Sequence, residues 1–209
     1  MENKKQPVIR LAIADSQLMV RKAICMLITS FGGFSIDIEA CSGEVLVTQL
    51  MGAKSLPELC IIDIAMPGGN GYELLRNVRN EWPEMKILVL TAIDHVCAIA
   101  VMQRMGANGH ILKNSDPTEL ETALTVMLKD GYYYSKPALQ AVHHDTPKIT
   151  DGELRFLQFC HKDLTYYEIA TMMNISIHTI HGYHNSLSRK LKIRTREGLA
   201  AFAIKMGFM

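Results

Sequence analysis

Five polar residues fall where apolar, strand-like runs give out. Asp15 and Ser16 follow the run 8–14, and Asp63 follows Leu59-Cys60-Ile61-Ile62. Thr91 closes 87–91, and Lys113 closes 110–113. Two carboxylates, a hydroxyl and an ammonium suit a divalent cation together with a phosphoryl group. Mg2+ prefers hard oxygen ligands, typically one or two carboxylates plus phosphate oxygens. A carboxylate can also act as the nucleophile in phosphoryl transfer, giving an acyl phosphate. The metal and the lysine would then neutralise charge on the transferred group. The plainer reading of Asp63 is a cap for the next helix, but a cap is expected nearer Asn70.

These residues act together only if the chain brings them to one edge. Strand-like runs at 8–14, 34–40, 59–64, 87–91 and 110–113 alternate with helical patterns at 17–31, 44–51, 72–81, 95–105 and 117–129. Five strands alternating with five helices predict an α/β fold, a five-stranded doubly wound parallel sheet. In such a sheet the carboxyl ends of the strands share one edge, where ligands bind. The cluster Pro67-Gly68-Gly69-Asn70-Gly71 reads as the loop that follows Asp63.

The bulk properties are those of a soluble globular chain, with 48% hydrophobic and 21% charged residues among 209. No apolar stretch approaches the roughly 18 residues of a membrane span, and the first residues lack a signal-peptide core. A cytoplasmic location follows as the expectation. Five cysteines without a Cys-x-x-Cys pair fit free thiols in a reducing compartment. The net charge of +1 hides an asymmetry. Residues 1–147 hold 13 Lys/Arg against 16 Asp/Glu, whereas residues 148–209 hold 9 against 5 and add four histidines. A basic tail suggests a polyanionic partner.

Residues 132–148 show no period and read as a linker, with some helical character near Ala138–Val142. From 149 onward the pattern is helical. Thr150 and Glu153 have capping-box spacing, and Ser176 and Thr195 are placed to cap helices. A short helix ending near Asn174, a tight turn at Ile175-Ser176-Ile177, and a helix from His178 to about Lys192 make a helix-turn-helix. Projected at about 100° per residue, Ile180, Leu187 and Leu191 form one buried stripe. His178, His181, Gly182, Asn185, Ser188, Arg189 and Lys192 share the opposite face, which carries no acid. Such a face suits the major groove of double-stranded DNA, although a plain solvated face is the alternative. Asn185 would bond an adenine edge, and His181 a purine N7 or a phosphate. Arg189 and Lys192 would meet phosphates. His184 projects beside the apolar stripe, so a metal shared by His178, His181 and His184 is not expected.

Over residues 8–131 the chain resembles the receiver domain of two-component response regulators. The resemblance rests on Ile13-Ala14-Asp15, on Ile62-Asp63-Ile64-Ala65-Met66-Pro67-Gly68-Gly69-Asn70-Gly71, on Val89-Leu90-Thr91-Ala92, and on Gly106-Ala107-Asn108-Gly109-His110-Ile111-Leu112-Lys113. Over 149–209 it resembles the LuxR-type helix-turn-helix of the NarL/FixJ class, through Leu164-Thr165, Glu168-Ile169-Ala170, Thr179-Ile180, Arg189-Lys190-Leu191 and Arg194-Thr195-Arg196. The resemblance implies a flavodoxin-like receiver (1–131), a linker (132–148) and a small all-α DNA-binding domain (149–209). It makes Asp63 the phosphoacceptor, served by a sensor histidine kinase, and Thr91 and Lys113 its phosphoryl partners. Asp15 and the Ala65 carbonyl become further Mg2+ ligands. Thr179 joins the DNA-facing residues, and the active form is expected to be a homodimer.

Two departures stand out in the receiver. Ser16 occupies the place of a second metal-site acid, so weakened Mg2+ binding is expected. His110 replaces the usual Tyr or Phe of the switch, and performs the same movement, makes the switch respond to pH, or is a surface-strand histidine with no role. In the tail, His181 stands where the family commonly has a groove-contacting lysine, and Gly182 has no side chain with which to read a base. The expected function is a transcriptional regulator switched at Asp63. The rivals are a degenerate receiver that binds DNA without phosphorylation, and a phosphotransfer enzyme. The enzyme is disfavoured because Ala65 stands where a haloacid-dehalogenase-type enzyme has its second acid.

Overall fold

The computed structural model describes residues 8–66, 71–135 and 146–208. Its first half runs β1 (Ile9–Ala14), α1 (Leu18–Ser30), β2 (Phe34–Ala40), α2 (Gly43–Gly52), β3 (Leu59–Ile62), α3 (Gly71–Glu81), β4 (Lys86–Thr91), α4 (Val96–Arg104), β5 (Gly109–Leu112), α5 (Pro117–Asp130) and β6 (Tyr133–Tyr134). The strands are parallel, in the order β2-β1-β3-β4-β5-β6. That is the flavodoxin-like order, with its switch point between β1 and β3.

Every residue of β3 is buried, as a continuous apolar run with helices on both faces requires. Helix α5 carries the signals that bound it. Asp116 caps it through the Thr118 N–H, Pro117 occupies the first turn, and Gly131 ends it in the left-handed region at φ 89°. The sheet has one strand more than expected. Tyr133 and Tyr134 pair with Gly109 and His110, so the start of the segment read as linker belongs to the sheet. A two-residue strand has no periodicity to display, which is why the pattern missed it. The helical character expected near Ala138–Val142 lies outside the described residues.

Among the described residues the second half has four helices: α6 (Asp151–Cys160), α7 (Tyr166–Met173), α8 (Ile177–Leu191) and α9 (Arg196–Lys205). Three of the four caps are those expected from the sequence, and the box at Thr165 is an addition. Capping boxes start α6 (Thr150/Glu153) and α7 (Thr165/Glu168), and Ser176 and Thr195 cap α8 and α9. Asn174 takes the left-handed conformation between α7 and α8, at φ 54°. Ile180 and Leu187 are fully buried, and Leu191 at the end of the stripe is half-buried. Among the described residues, no helix is long and apolar enough to cross a membrane.

Candidate functional site

Strand register places the acids side by side. Ala14 pairs with Ile62, and the Asp63 N–H donates to the Ala14 carbonyl at 2.9 Å, so Asp15 and Asp63 leave adjacent strands at the same level. Thr91 pairs with Leu112, and the Lys113 N–H donates to the Thr91 carbonyl at 2.9 Å. The four side chains thus start from neighbouring positions along one sheet edge.

Both carboxylates are almost fully buried. Asp15 Oδ1 accepts from the Gln17 N–H at 2.7 Å, and Asp63 Oδ1 from the Ala65 N–H at 2.9 Å. Their Oδ2 atoms converge on one ammonium. Lys113 Nζ lies 2.7 Å from Asp15 and 2.6 Å from Asp63. Burial opposes the lysine charge, but hydrogen bonds and charge from both carboxylates outweigh it, so its pKa is raised. Gly71 permits the close approach that shapes this end of the pocket. A Cβ there would stand 2.1 Å from the Ile64 carbonyl oxygen.

Thr91 is fully buried, and its hydroxyl has no hydrogen-bond partner among the described residues. A buried hydroxyl left unpaired is costly, and an incoming phosphoryl oxygen would satisfy it. Ser16 is half-buried and shares no side-chain hydrogen bond with the two acids.

His110 is 1% exposed, so it is an interior residue. Its Nε2 lies 3.2 Å from the Ile93 carbonyl. A carbonyl only accepts, so Nε2 carries the proton. Burial lowers the imidazole pKa against the opposing pull of the Ile93 carbonyl and Glu119, which keeps the ring neutral near pH 7.

Sequence reasoning passed over Arg21. It lies on the inward face of α1 with Cys25 and Ile28, and its guanidinium donates to the Asp15 carbonyl at 2.5 Å. An arginine in register with an apolar stripe was the available signal.

On α8, the side chains of His178, His181, Asn185, Arg189 and Lys192 are exposed on one side. Thr179 is half-buried and tied into the helix start, with its N–H and hydroxyl both meeting the Ser176 hydroxyl. The rings of His181 and His184 lie 5.6 and 5.7 Å from that of Tyr166, which Arg196 covers from 5.3 Å. Among the described residues no three His, Cys, Asp or Glu side chains gather as a metal site. Behind this surface, Lys190 Nζ meets both oxygens of buried Glu153 at 2.7 Å, tying α8 to α6.

Comparison with known proteins matches both halves. Residues 11–125 fit the family described as response regulator receiver domain, and residues 148–203 fit the bacterial regulatory proteins of the luxR family. The transcriptional regulatory protein MctR of Rhizobium johnstonii is 25% identical, covering 98% of this chain and 97% of its own. The oxygen regulatory protein NreC of Staphylococcus aureus is 26% identical, covering 94% and 97%. Among solved structures, RcsB of Salmonella enterica serovar Typhimurium bound to promoter rprA has a TM-score of 0.76 at 21% identity, covering 94% of this chain and 98% of that one. With the receiver match spanning more than half of its length and a LuxR-family module behind it, the chain belongs to the response regulators of the NarL/FixJ class: DNA-binding transcription regulators of two-component systems.

Proposed function

We propose that this regulator is switched by phosphorylation of Asp63, with a sensor histidine kinase as donor and Mg2+ as cofactor. One observation carries the reading: two buried carboxylates at the sheet's switch point present their Oδ2 atoms to a single cation, Lys113. In the transfer, a carboxylate oxygen of Asp63 attacks phosphorus, the bond from phosphorus to the donor breaks, and an acyl phosphate remains. Lys113 stays as the counter-charge to the phosphoryl group, and the Thr91 hydroxyl donates to one of its oxygens. Gln17 and Ala65 N–H groups fix the two acids so that little reorganisation is needed.

The donor set fits Mg2+. Convergent carboxylate oxygens already hold one cation, and Asp15, Asp63 and the Ala65 carbonyl supply hard oxygens. When bound, the metal screens charge on the transferring group. Ser16 contributes a neutral hydroxyl where the family has an acid, and Lys113 competes for the same oxygens, so weakened Mg2+ binding is expected. The reading includes a receiver that runs past residue 131 to take in β6, then a linker up to residue 148, and 149–209 as the DNA-binding domain. It also includes a cytoplasmic location and a homodimer on paired DNA half-sites, bound through His178, Thr179, His181, Asn185, Arg189 and Lys192. The degenerate alternative draws no support from the pocket, whose Asp63, Thr91 and Lys113 all stand at strand ends.

Intact-mass measurement after incubation with acetyl phosphate tests the switch, with and without Mg2+, on wild type and Asp63→Asn. A single Mg2+-dependent phosphoryl adduct, absent from the variant, is expected. No adduct at high Mg2+, together with failure to bind beryllofluoride, would establish the phosphorylation-independent alternative instead.

A further inference from the structure

The receiver and the DNA-binding helices share one continuous buried cluster, which takes in Met206 and Phe208 of the turn that follows α9. Met206 and Phe208 are buried there. The Tyr72 hydroxyl donates to the Met206 carbonyl at 2.5 Å, and the Tyr72 ring tilts against Phe208 at 5.4 Å. Between them Gly207 adopts φ +90°, and a Cβ on it would stand 2.2 Å from Ile93 Cδ1. Only glycine meets both the backbone angle and the space. Nearby, the edge of His95 meets Phe202 at 5.1 Å, and Arg76 and Arg104 converge on Asp151 at 3.1 and 3.0 Å.

Ile93 faces both ways. It lies two residues after Thr91; its side chain abuts Gly207, while its carbonyl is held by His110. Meanwhile the α8 face stays open: His178, His181, Asn185, Arg189 and Lys192 are all exposed with the two units packed.

We propose that the receiver surface formed by Tyr72 and Ile93 is a docking site for the chain's own Met206-Gly207-Phe208 turn. The docked receiver holds the DNA-binding unit by this trailing turn as a clamp and does not cover its reading face. His110 is the positioning residue that sets the clamp through the Ile93 carbonyl. The coupling to the switch rests on the proposed phosphorylation of Asp63. The clamp itself does not, and it is tested without any phosphoryl donor.

The experiment uses the full chain and two receiver-side variants, Tyr72→Phe and Ile93→Asp, so that the tail sequence is untouched. Amide exchange by mass spectrometry and small-angle scattering are read together with affinity for a random-sequence duplex at low salt. For Ile93→Asp, exchange at residues 206–208 should rise about tenfold or more while β1 and β3 keep their protection, and the radius of gyration should increase. Tyr72→Phe should give a smaller rise at the same amides. Duplex affinity should change by less than about threefold, because the reading face is already free. Unchanged exchange and radius in Ile93→Asp would overturn the docking site. A gain of more than about tenfold in duplex affinity would show a lid and overturn the clamp. For the link, His110→Ala should loosen 206–208 with β4 and β5 still protected, and His110→Gln, which keeps a donor, should restore it. Equal loosening of β4 and β5 would reduce His110 to a core residue and overturn the link.

Discussion

The half-buried ammonium between Asp15 and Asp63 defines the resting pocket. Removing it leaves two neighbouring carboxylates, each nearly out of water, with no counter-charge. Breaking a buried ion pair from one side commonly costs about 3–5 kcal/mol. Lys113→Ala should therefore be destabilised by about that amount in chelator. Mg2+ should return much of the loss, since a divalent ion can take the vacated place. Urea unfolding with and without Mg2+ checks this, and a variant indifferent to Mg2+ would count against a cation site here. Thr91 should show the opposite trade. Its hydroxyl is buried without a partner among the described residues, so Thr91→Val keeps the shape and removes an unsatisfied group. Stability should rise by about 1 kcal/mol, while the Asp63 adduct forms more slowly. A simultaneous gain in stability and loss in phosphorylation would distinguish a functional hydroxyl from a structural one.

At the scale of elements, α8 combines a reading surface with a weak point. Gly182 is exposed and nothing lies within 4 Å of a Cβ built on it. Gly182→Ala should stabilise the helix by about 1 kcal/mol without loss of DNA affinity. Arg189→Ala should weaken binding evenly across sequences and lower the salt slope by about one. Titration of fluorescent duplexes over a range of salt gives both quantities, and a sequence-dependent loss would make Arg189 a base reader. These elements were legible beforehand because their determinants are local. Three of the four tail caps, the αL Asn174, the buried β3 and the polar face of α8 each follow from a few adjacent residues. The convergence at the strand ends followed from topology once the alternation was recognised. The inward Arg21 was signalled by its register with the apolar stripe of α1, but the interior setting of His110 and the two-residue β6 depend on partners 17 and 24 positions away in the chain. No local pattern encodes such pairings.

For the whole molecule, the seam between receiver and tail is apolar at its centre and charged at its rim. Asp151 is well exposed, so its pairs with Arg76 and Arg104 contribute little, within about 1 kcal/mol. The coupling of the two halves therefore depends on the tail keeping its own shape, and Glu153 is where acid attacks that shape. Burial raises its pKa, but the bonds from Lys190, the Thr150 backbone and neighbouring hydroxyls outweigh this and leave it lowered. A depressed carboxylate pKa contributes stability above the unfolded value, about 4.3, and that contribution is lost as pH falls through the folded value. Glu153→Gln keeps capping-box geometry but loses the charge-assisted bonds to Lys190, so it should cost about 1.5–3 kcal/mol at pH 7. The gap from wild type should then narrow as pH drops below about 4. Because α9 and its trailing turn are packed on the tail core, acid loosening of the tail should release the Tyr72 and Ile93 contacts in the same step. Amide exchange followed from pH 7 downward should show residues 206–208 and α6 losing protection together, ahead of β1 and β3. Loss at 206–208 while α6 remains protected would mean that the seam opens on its own titration, with His95, whose pKa is lowered by burial and then by Lys205, as the group to examine.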